Sequence, residues 1–175
     1  MTQKQIYFYA DTIQNINFDY IKKIKANIII KSCLKPDLEK YKNIAKKCKR
    51  RNIPLFVSND HRLMFKLGLR KLYISSYNKN YYKNLPENVQ IIGSAHNKKE
   101  ILEKLNQGCD TVILSRLFQT KKRGYLGVIK FNLLARSITN LVALGGIKIK
   151  NIRKLQMLNI TGFASESELR KETIK

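Results

Sequence analysis

Residues 108–120 read GCDTVILSRLFQT and contain one complete unit of the predicted architecture. A glycine that can end a preceding helix is followed by an apolar run at 111–114, and the run ends in Ser115 and Arg116. A continuous apolar run indicates a strand that is covered on both faces, as in a parallel sheet under helices. The stretch therefore predicts a buried strand with polar side chains at its carboxyl end.

The same pattern recurs about every twenty residues along the chain. Short apolar or β-branched runs alternate with Lys-, Glu- and Leu-rich segments that have helical spacing. The predicted strands are 6–10, 27–30, 53–57, 71–74, 89–92, 111–114, 141–144 and 161–164. The predicted helices are 18–25, 36–50, 61–67, 98–106, 131–138, 149–158 and 166–171, and residues 77–88 are expected to form a loop.

Small or polar residues follow each of the apolar runs directly. Eight strand ends of this kind would meet on one rim of a closed barrel, whereas an open sheet brings only a few together. We therefore predict an α/β protein, a compact (β/α)8 TIM barrel formed as a single domain by residues 1–175, with a doubly wound open sheet as the alternative. At 175 residues the chain is short for this fold, so its helices and loops must be short.

Composition excludes several classes of protein. With 43% hydrophobic and 27% charged residues, eight Gly and three Pro, the chain is neither collagen-like nor disordered. No apolar run approaches the ~20 residues of a membrane span, and the polar N-terminus does not resemble a signal peptide. Three widely spaced cysteines indicate neither a disulfide framework nor a zinc site. We expect a globular protein of the cytoplasm, with no membrane partner.

The charge balance is strongly basic, with 35 Lys and Arg against 12 Asp and Glu and a net charge of +23. This excess suits an anionic partner, either nucleic acid or a phosphorylated metabolite. The alternative is compositional: an AT-rich coding sequence would yield abundant Lys, Asn, Ile and Tyr without selection for a ligand. The sequence contains no RNA-reading motif, so nucleic acid is the weaker expectation. It leaves open whether the protein forms a homo-oligomer.

One segment places two reactive side chains directly after a predicted strand. Residues 91–96 end in Ser94 and His96, and an imidazole at that position could act as a general acid or base. The alternative is structural, with Ser94 or Asn97 capping the next helix and His96 a passive residue of the rim.

Two later segments could bind phosphate. Gly145 and Gly146 end the seventh run just before a predicted helix, where glycine lets backbone amides approach an anion. The loop at 118–124 offers a hydroxyl from Thr120 and an amine from Lys122. A simple turn and a solvated loop are the competing interpretations.

Acidic residues are scarce at the predicted rim. Asp60 follows the third strand and Asp11 follows the first. Magnesium takes one or two carboxylates together with substrate phosphates, so Asp60 alone would make only a weak, substrate-dependent Mg²⁺ site.

Four segments in order, residues 54–60, 91–96, 108–120 and 142–147, resemble the thiamin phosphate synthase and TenI (thiazole tautomerase) family. The resemblance implies a (β/α)8 barrel of thiamin biosynthesis that acts on phosphorylated small molecules. Synthase members join a pyrimidine pyrophosphate to a thiazole phosphate, release pyrophosphate and use magnesium. Tautomerase members isomerise a thiazole carboxylate phosphate without that metal.

The resemblance also assigns roles to individual residues. It implies that Asp60 binds the metal, that His96 is the acid or base with Ser94 beside it, and that Lys31 supplies a catalytic cation. The residues that it implies for substrate and phosphate are Asn59, Thr120, Lys122, Gly145, Gly146 and Ser165.

The chain departs from the family pattern at the places that serve the metal and the pyrophosphate. Lys31 stands alone where the family has an Arg-x-Lys pair, and a second metal carboxylate is missing from residues 75–78, which end in Asn78. Gln119 replaces a loop proline, and residues 162–165 form a reduced terminal segment. These departures favour a tautomerase-like or non-canonical enzyme as much as a synthase. The alternatives are a catalytically reduced member that binds a phosphorylated small molecule and a basic RNA-associated barrel.

Overall fold

The computed structural model describes residues 4–10, 16–31, 37–121, 123–136 and 138–165. In these residues the strands β1 to β8 pair in chain order, all of them parallel. The last strand pairs with the first, with Gln5 opposite Gly162, and this pairing closes the sheet. The (β/α)8 barrel is confirmed, and the open sheet is excluded.

All of the predicted strands are present, with ends displaced by at most three residues. Their bounds are β1 Gln5–Ala10, β2 Ala26–Ile30, β3 Leu55–Ser58, β4 Lys71–Ile74, β5 Gln90–Ala95, β6 Thr111–Ser115, β7 Leu141–Leu144 and β8 Gly162–Ser165. The third strand begins two residues late because Asn52 adopts a left-handed conformation and the Ile53 amide donates to the Cys48 carbonyl. Ile53 is therefore bonded to the end of α2, and only from Pro54 does the backbone turn to β2, with the Pro54 carbonyl accepting from the Ile28 amide at 2.8 Å.

The helices on the outside of the barrel are α1 Phe18–Lys23, α2 Leu38–Arg51, α3 His61–Lys66, α4 Lys98–Asn106 and α5 Gly127–Ala135. A 3₁₀ helix covers Ile149–Met157 and is called the 149–157 helix below. The predicted loop at 77–88 contains neither helix nor strand. The predicted helix at 166–171 lies outside the described residues. Within the described residues, no helix has the length and apolar character that crossing a bilayer requires.

The predicted bounds of the fifth helix, 131–138, are wrong, since α5 covers Gly127–Ala135. It begins four residues earlier, at Gly127, without a side-chain cap from Leu126. Its first turn is instead held by tertiary hydrogen bonds, from the Leu126 amide to the Arg116 carbonyl (2.8 Å) and from the Gly127 amide to the Leu117 carbonyl (2.9 Å). The local sequence therefore lacks a start signal.

The strands are apolar at consecutive positions because they separate two cores. Inward side chains from every strand fill the barrel: Tyr7, Tyr9, Ile29, Phe56, Tyr73, Ile92, Ile113, Val142 and Ala164. The alternate residues of each strand, such as Ile28 and Ile30 of β2, pack outward against the helices. Of these inward residues, Tyr9, Tyr73 and Ala164 also line the cleft at the carboxyl ends of the strands.

Candidate active site

A cleft of ≈ 1620 Å³ lies at the carboxyl ends of the strands. Serines at the carboxyl ends of β3, β6 and β8, and one residue before the end of β5, line the cleft: Ser58, Ser115, Ser165 and Ser94. The site residues named from the sequence that line the cleft are Lys31, Asn59, Ser94, His96, Thr120, Gly145, Gly146 and Ser165. Asp60 does not line it, and Lys122, like Asp11, lies outside the described residues.

The His96 ring forms a hydrogen bond with Glu100, which lies in the first turn of α4. The distance from His96 Nδ1 to Glu100 Oε2 is 2.9 Å, and the His96 backbone amide donates to the same oxygen. Asn97 caps α4 and donates from Nδ2 to the other oxygen, Oε1, at 2.7 Å. The imidazole is 47% exposed and the carboxylate 24%. The helix cap thus holds a carboxylate against the ring, and the capping and acid–base interpretations are compatible.

The hydrogen bonds around Glu100 favour the ionised form of its carboxyl group. Burial raises the pKa of the carboxyl, but the hydrogen bonds from His96 and Asn97 and the charge of His96 outweigh burial, so the pKa lies below its ordinary value. An ionised carboxylate only accepts hydrogen bonds, so Nδ1 of His96 carries the hydrogen. The other ring nitrogen, Nε2, is therefore the one with a lone pair in the neutral ring.

A chain of hydroxyl groups lies on the cleft floor beside Lys31. The Tyr9 hydroxyl donates to the Tyr73 hydroxyl, which also hydrogen-bonds with Ser94. The Lys31 amine lies 4.9 Å from the centre of the Tyr9 ring. Burial raises the pKa of Tyr73, and the hydrogen bonds and Lys31 only partly offset it. A hydrogen bond to a tyrosine of the barrel core thus holds Ser94 in place.

Asn59 joins the ends of β3 and β4. It has a left-handed φ of 58°, and its Oδ1 accepts from the Ser75 amide (2.9 Å), the Ser75 hydroxyl (3.1 Å) and Asn78 Nδ2 (3.1 Å). A side chain of α4 also holds the loop after β4, because the buried Lys104 donates from Nζ to the Asn78 carbonyl at 2.7 Å. Asn59 therefore lines the cleft with a side chain that is already engaged in structural hydrogen bonds.

Gly145 and Gly146 allow the loop after β7 to pack on the loop after β6. Both have positive φ, and a Cβ on Gly146 would lie 2.6 Å from the Gln119 carbonyl oxygen and 2.7 Å from that of Phe118. The Phe118 amide donates to the Gly145 carbonyl at 3.0 Å. Close approach between two loops is thus a sufficient reason for glycine at 146.

The cleft also has five basic side chains that the sequence interpretation does not include among the site residues: Arg116, Lys121, Lys148, Lys150 and Lys154. The sequence does indicate a basic region here, because residues 111–165 contain no Asp or Glu. The four lysines have no salt bridge to a carboxylate in the described residues. The Arg116 guanidinium donates to the carbonyls of Gly124 (3.1 Å) and Arg123 (2.5 Å) within its own loop.

Comparison with protein families identifies this barrel. The family model TMP-TENI, described as thiamine monophosphate synthase, matches residues 35–169, which is most of the chain. The chain belongs to the thiamine monophosphate synthase family. Membership places it among proteins of thiamin biosynthesis and supports an enzymatic role. No curated protein sequence matches the chain.

Solved structures of thiamine phosphate pyrophosphorylases share the fold. The one from Pyrococcus furiosus has a TM-score of 0.74 and 18% identity, over 98% of this chain and 93% of that one. The one from Bacteroides thetaiotaomicron has a TM-score of 0.66 and 14% identity, over 95% and 84%. FabK from Thermotoga maritima also reaches 0.74, at 14% identity over 96% of this chain and 59% of its own. These likenesses show the fold, and the family match supplies the biological context.

Magnesium is the metal that the family resemblance implies, and the described residues do not fit it well. The Asp60 carboxylate caps α3 and accepts from the Leu63 amide at 2.8 Å. At the position expected for a second carboxylate, Asn78 donates from Nδ2 to Asn59 and to the Tyr82 hydroxyl. No group of three His, Cys, Asp or Glu in the described residues could hold a metal ion. Asp60 as a metal ligand therefore stays a prediction that the geometry does not favour.

Proposed function

We propose that this family member isomerises a phosphorylated thiazole precursor of thiamin by proton transfer at His96. The observation that carries the proposal is the His96–Glu100 pair, which stands in a cleft lined by cations. The phosphate ester of the substrate would bind to the basic half of the cleft, and the thiazole would lie towards His96. This chemistry needs an acid–base group and a cationic surface for the phosphate, and His96 and the basic side chains of the cleft support it.

His96 is equipped to take up and return a proton. With Nδ1–H donated to Glu100, the lone pair on Nε2 can accept a proton from carbon or nitrogen of the substrate. The imidazolium that forms is then stabilised by the ionised Glu100 at 2.9 Å. Glu100 also fixes the ring orientation, as a carboxylate does in other acid–base pairs.

Two other activities are the alternatives. Metal-dependent coupling of a pyrimidine pyrophosphate to a thiazole phosphate is less well supported, because Asp60 caps α3 and Asn78 stands in place of a carboxylate. Binding of a phosphorylated molecule without turnover is favoured by the engagement of Asn59 and Ser94 in structural hydrogen bonds. The cytoplasmic location, the oligomeric state and the low expectation of nucleic-acid binding stay predictions.

The test is to assay both reactions on the purified protein, with chelator and with magnesium. We expect isomerisation of thiazole carboxylate phosphate by the wild type in chelator, and a loss of about two to four orders of magnitude in rate for His96→Ala. His61→Ala is the matched control, since His61 packs against Tyr82 outside the cleft.

Each of the other outcomes identifies one alternative. Magnesium-dependent coupling by the wild type, abolished in Asp60→Ala, would show a synthase. Turnover of neither substrate, together with binding of thiazole phosphate, would show a binding protein. An equal loss of rate in His96→Ala and His61→Ala would show that His96 is not the acid–base residue of the reaction.

A further inference from the structure

We propose that the cleft binds phosphoryl groups through the lysines of its β6 and β7 loops, which take the place of a bridging divalent metal. This inference rests on the proposed function only in assuming that the ligand is phosphorylated. It assigns a binding role to Lys121, Lys148, Lys150 and Lys154.

The first observation is the chemistry of the cleft lining. Six of the described lining residues are Lys or Arg, and none is Asp or Glu: the cations are Lys31, Arg116, Lys121, Lys148, Lys150 and Lys154. Mg²⁺ in phosphate sites is usually held by one or two carboxylates together with the substrate oxygens. The described lining offers hydroxyl and amide oxygens only, and these do not neutralise a divalent cation.

The second observation is that the positive charge is uncompensated. Lys121, Lys148, Lys150 and Lys154 are exposed and form no salt bridge in the described residues. Like charges around one cleft repel one another, and an anion placed among them removes that repulsion. A phosphate monoester carries close to two negative charges at neutral pH, and a diphosphate carries more. The lining can therefore neutralise either ligand without a metal.

The third observation is that the two basic loops are held together before any ligand binds. Amides of the β6 loop donate to carbonyls of the β7 segment, Leu117 to Leu144 (2.9 Å) and Phe118 to Gly145 (3.0 Å). Asn151 donates from Nδ2 to the Gly146 carbonyl at 2.8 Å and accepts from the Lys148 amide at 2.7 Å. The backbone that carries the lysines is thus preorganised, which lowers the entropic cost of binding an anion.

Direct binding by lysines has a measurable consequence for magnesium. Mg²⁺ binds pyrophosphate in solution and neutralises part of its charge. For a site that uses carboxylate-bound metal, magnesium strengthens pyrophosphate binding. For a site made of lysines, magnesium competes with the protein for the anion and weakens binding.

The experiment is calorimetric titration of the full chain with sodium pyrophosphate, in EDTA and again in excess MgCl2. We expect binding in EDTA and a Kd at least about threefold weaker in magnesium. Inorganic phosphate, titrated in the same way, shows whether one phosphoryl group suffices, and its Kd should change little with magnesium.

The Lys148→Gln/Lys154→Gln variant should weaken pyrophosphate binding in EDTA about tenfold, at roughly threefold for each exposed charge. Lys23→Gln/Lys66→Gln is the matched control, because it removes the same charge from α1 and α3, away from the cleft. The control variant should bind pyrophosphate as tightly as the wild type does. Equal weakening of binding in both variants would show that only the net charge of the protein matters, and not the position of the lysines.

Two results would overturn the inference: binding that requires or is strengthened by magnesium, and no pyrophosphate binding under either condition. Failure of the proposed function is a separate outcome. Metal-free pyrophosphate binding without isomerase turnover would leave this inference standing. Isomerase turnover without metal-free pyrophosphate binding would overturn the inference and leave the proposed function intact.

Discussion

The β3–β4 half of the rim and the β6–β7 half use their polar side chains in opposite ways. In the first half, Asn59 accepts three hydrogen bonds and Asp60 caps a helix, so these side chains are satisfied within the protein. In the second half, Lys148, Lys150 and Lys154 line the cleft without a carboxylate partner in the described residues.

This difference teaches which residues of the rim stabilise the fold and which are available to a ligand. A side chain that supplies hydrogen bonds to a loop cannot be redirected to a substrate without leaving other groups unsatisfied. An exposed cation without a partner costs the fold little and attracts an anion. We therefore expect side-chain substitutions at Asn59 and Asp60 in the first half to change stability, and substitutions of the cleft lysines in the second half to change binding.

The largest effect is expected at Gly146, where the backbone of the β7 loop, rather than a cleft side chain, packs on the β6 loop. Gly146→Ala should destabilise the protein by about 3 kcal/mol, because left-handed strain is added to a clash with the backbone of residues 118 and 119. Gly68→Ala is the control, with the same φ of 67° and no atom within 4 Å of the added Cβ, and should cost only about 1 kcal/mol. Urea denaturation measures the free energy of unfolding of both variants. Equal losses would show that the contact between the β6 and β7 loops does not require glycine at 146.

Asn59 should show the next largest effect. Asn59→Gly keeps the left-handed backbone but leaves the Ser75 amide without its acceptor, so we expect a loss of about 2 kcal/mol. Asn52→Gly is the control, since Asn52 is also left-handed (φ 54°) and ends α2, and should change stability by less than about 0.5 kcal/mol. Pyrophosphate affinity should be the same in both variants. A large loss of affinity in Asn59→Gly alone would make Asn59 a ligand-binding residue.

Asp60→Ala should cost about 1 kcal/mol, the usual loss for a helix cap. Asp37→Ala, which removes the cap of α2, should cost a similar amount. Millimolar MgCl2 should leave the Tm of the wild type unchanged in differential scanning calorimetry. A rise in Tm with magnesium that disappears in Asp60→Ala but not in Asp37→Ala would establish Asp60 as a metal ligand.

The smallest effect concerns the pH dependence of stability at Glu100. Its pKa is lowered in the folded protein from an ordinary value of 4.5, since the hydrogen bonds from His96 and Asn97 outweigh the effect of burial. The resulting stabilisation is fully present above pH 4.5 and is lost as the pH falls through the lower, folded-state pKa. Wild type should therefore be more stable than Glu100→Gln at pH 6, and the difference should shrink below pH 4.5. An unchanged difference at pH 3 would contradict the pairing.

Most of the fold could be predicted because each strand is covered on both faces. Ile28 and Ile30 pack outward while Ile29 packs inward, which makes the strand apolar at every position. The start of α5 could not be predicted, because it is held by hydrogen bonds to carbonyls of the β6 loop, about ten residues earlier in the chain. The segment itself has no helix start signal. Tertiary hydrogen bonds of this kind leave no pattern in the segment itself.

The site was only partly predictable. The position of His96, Gly145 and Gly146 at the cleft is predictable because these residues follow apolar runs. For Asp60 the family resemblance implies a metal ligand, whereas an aspartate between a strand and a helix also suits a cap, and only the bond to the Leu63 amide shows the cap.

Two further features of the site have a signal in the sequence. Glu100 lies four residues after His96 on a helix, a spacing that places side chains together. The stretch without acidic residues at 111–165 indicated the basic half of the rim.

The most direct test of the difference between the two halves is hydrogen–deuterium exchange with and without sodium pyrophosphate, in EDTA. We expect slower exchange in peptides covering residues 116–121 and 145–154, and unchanged exchange in peptides covering 59–60 and 75–78. Protection confined to residues 59–78 would contradict the account, because it would place the anion site in the half whose side chains are already satisfied.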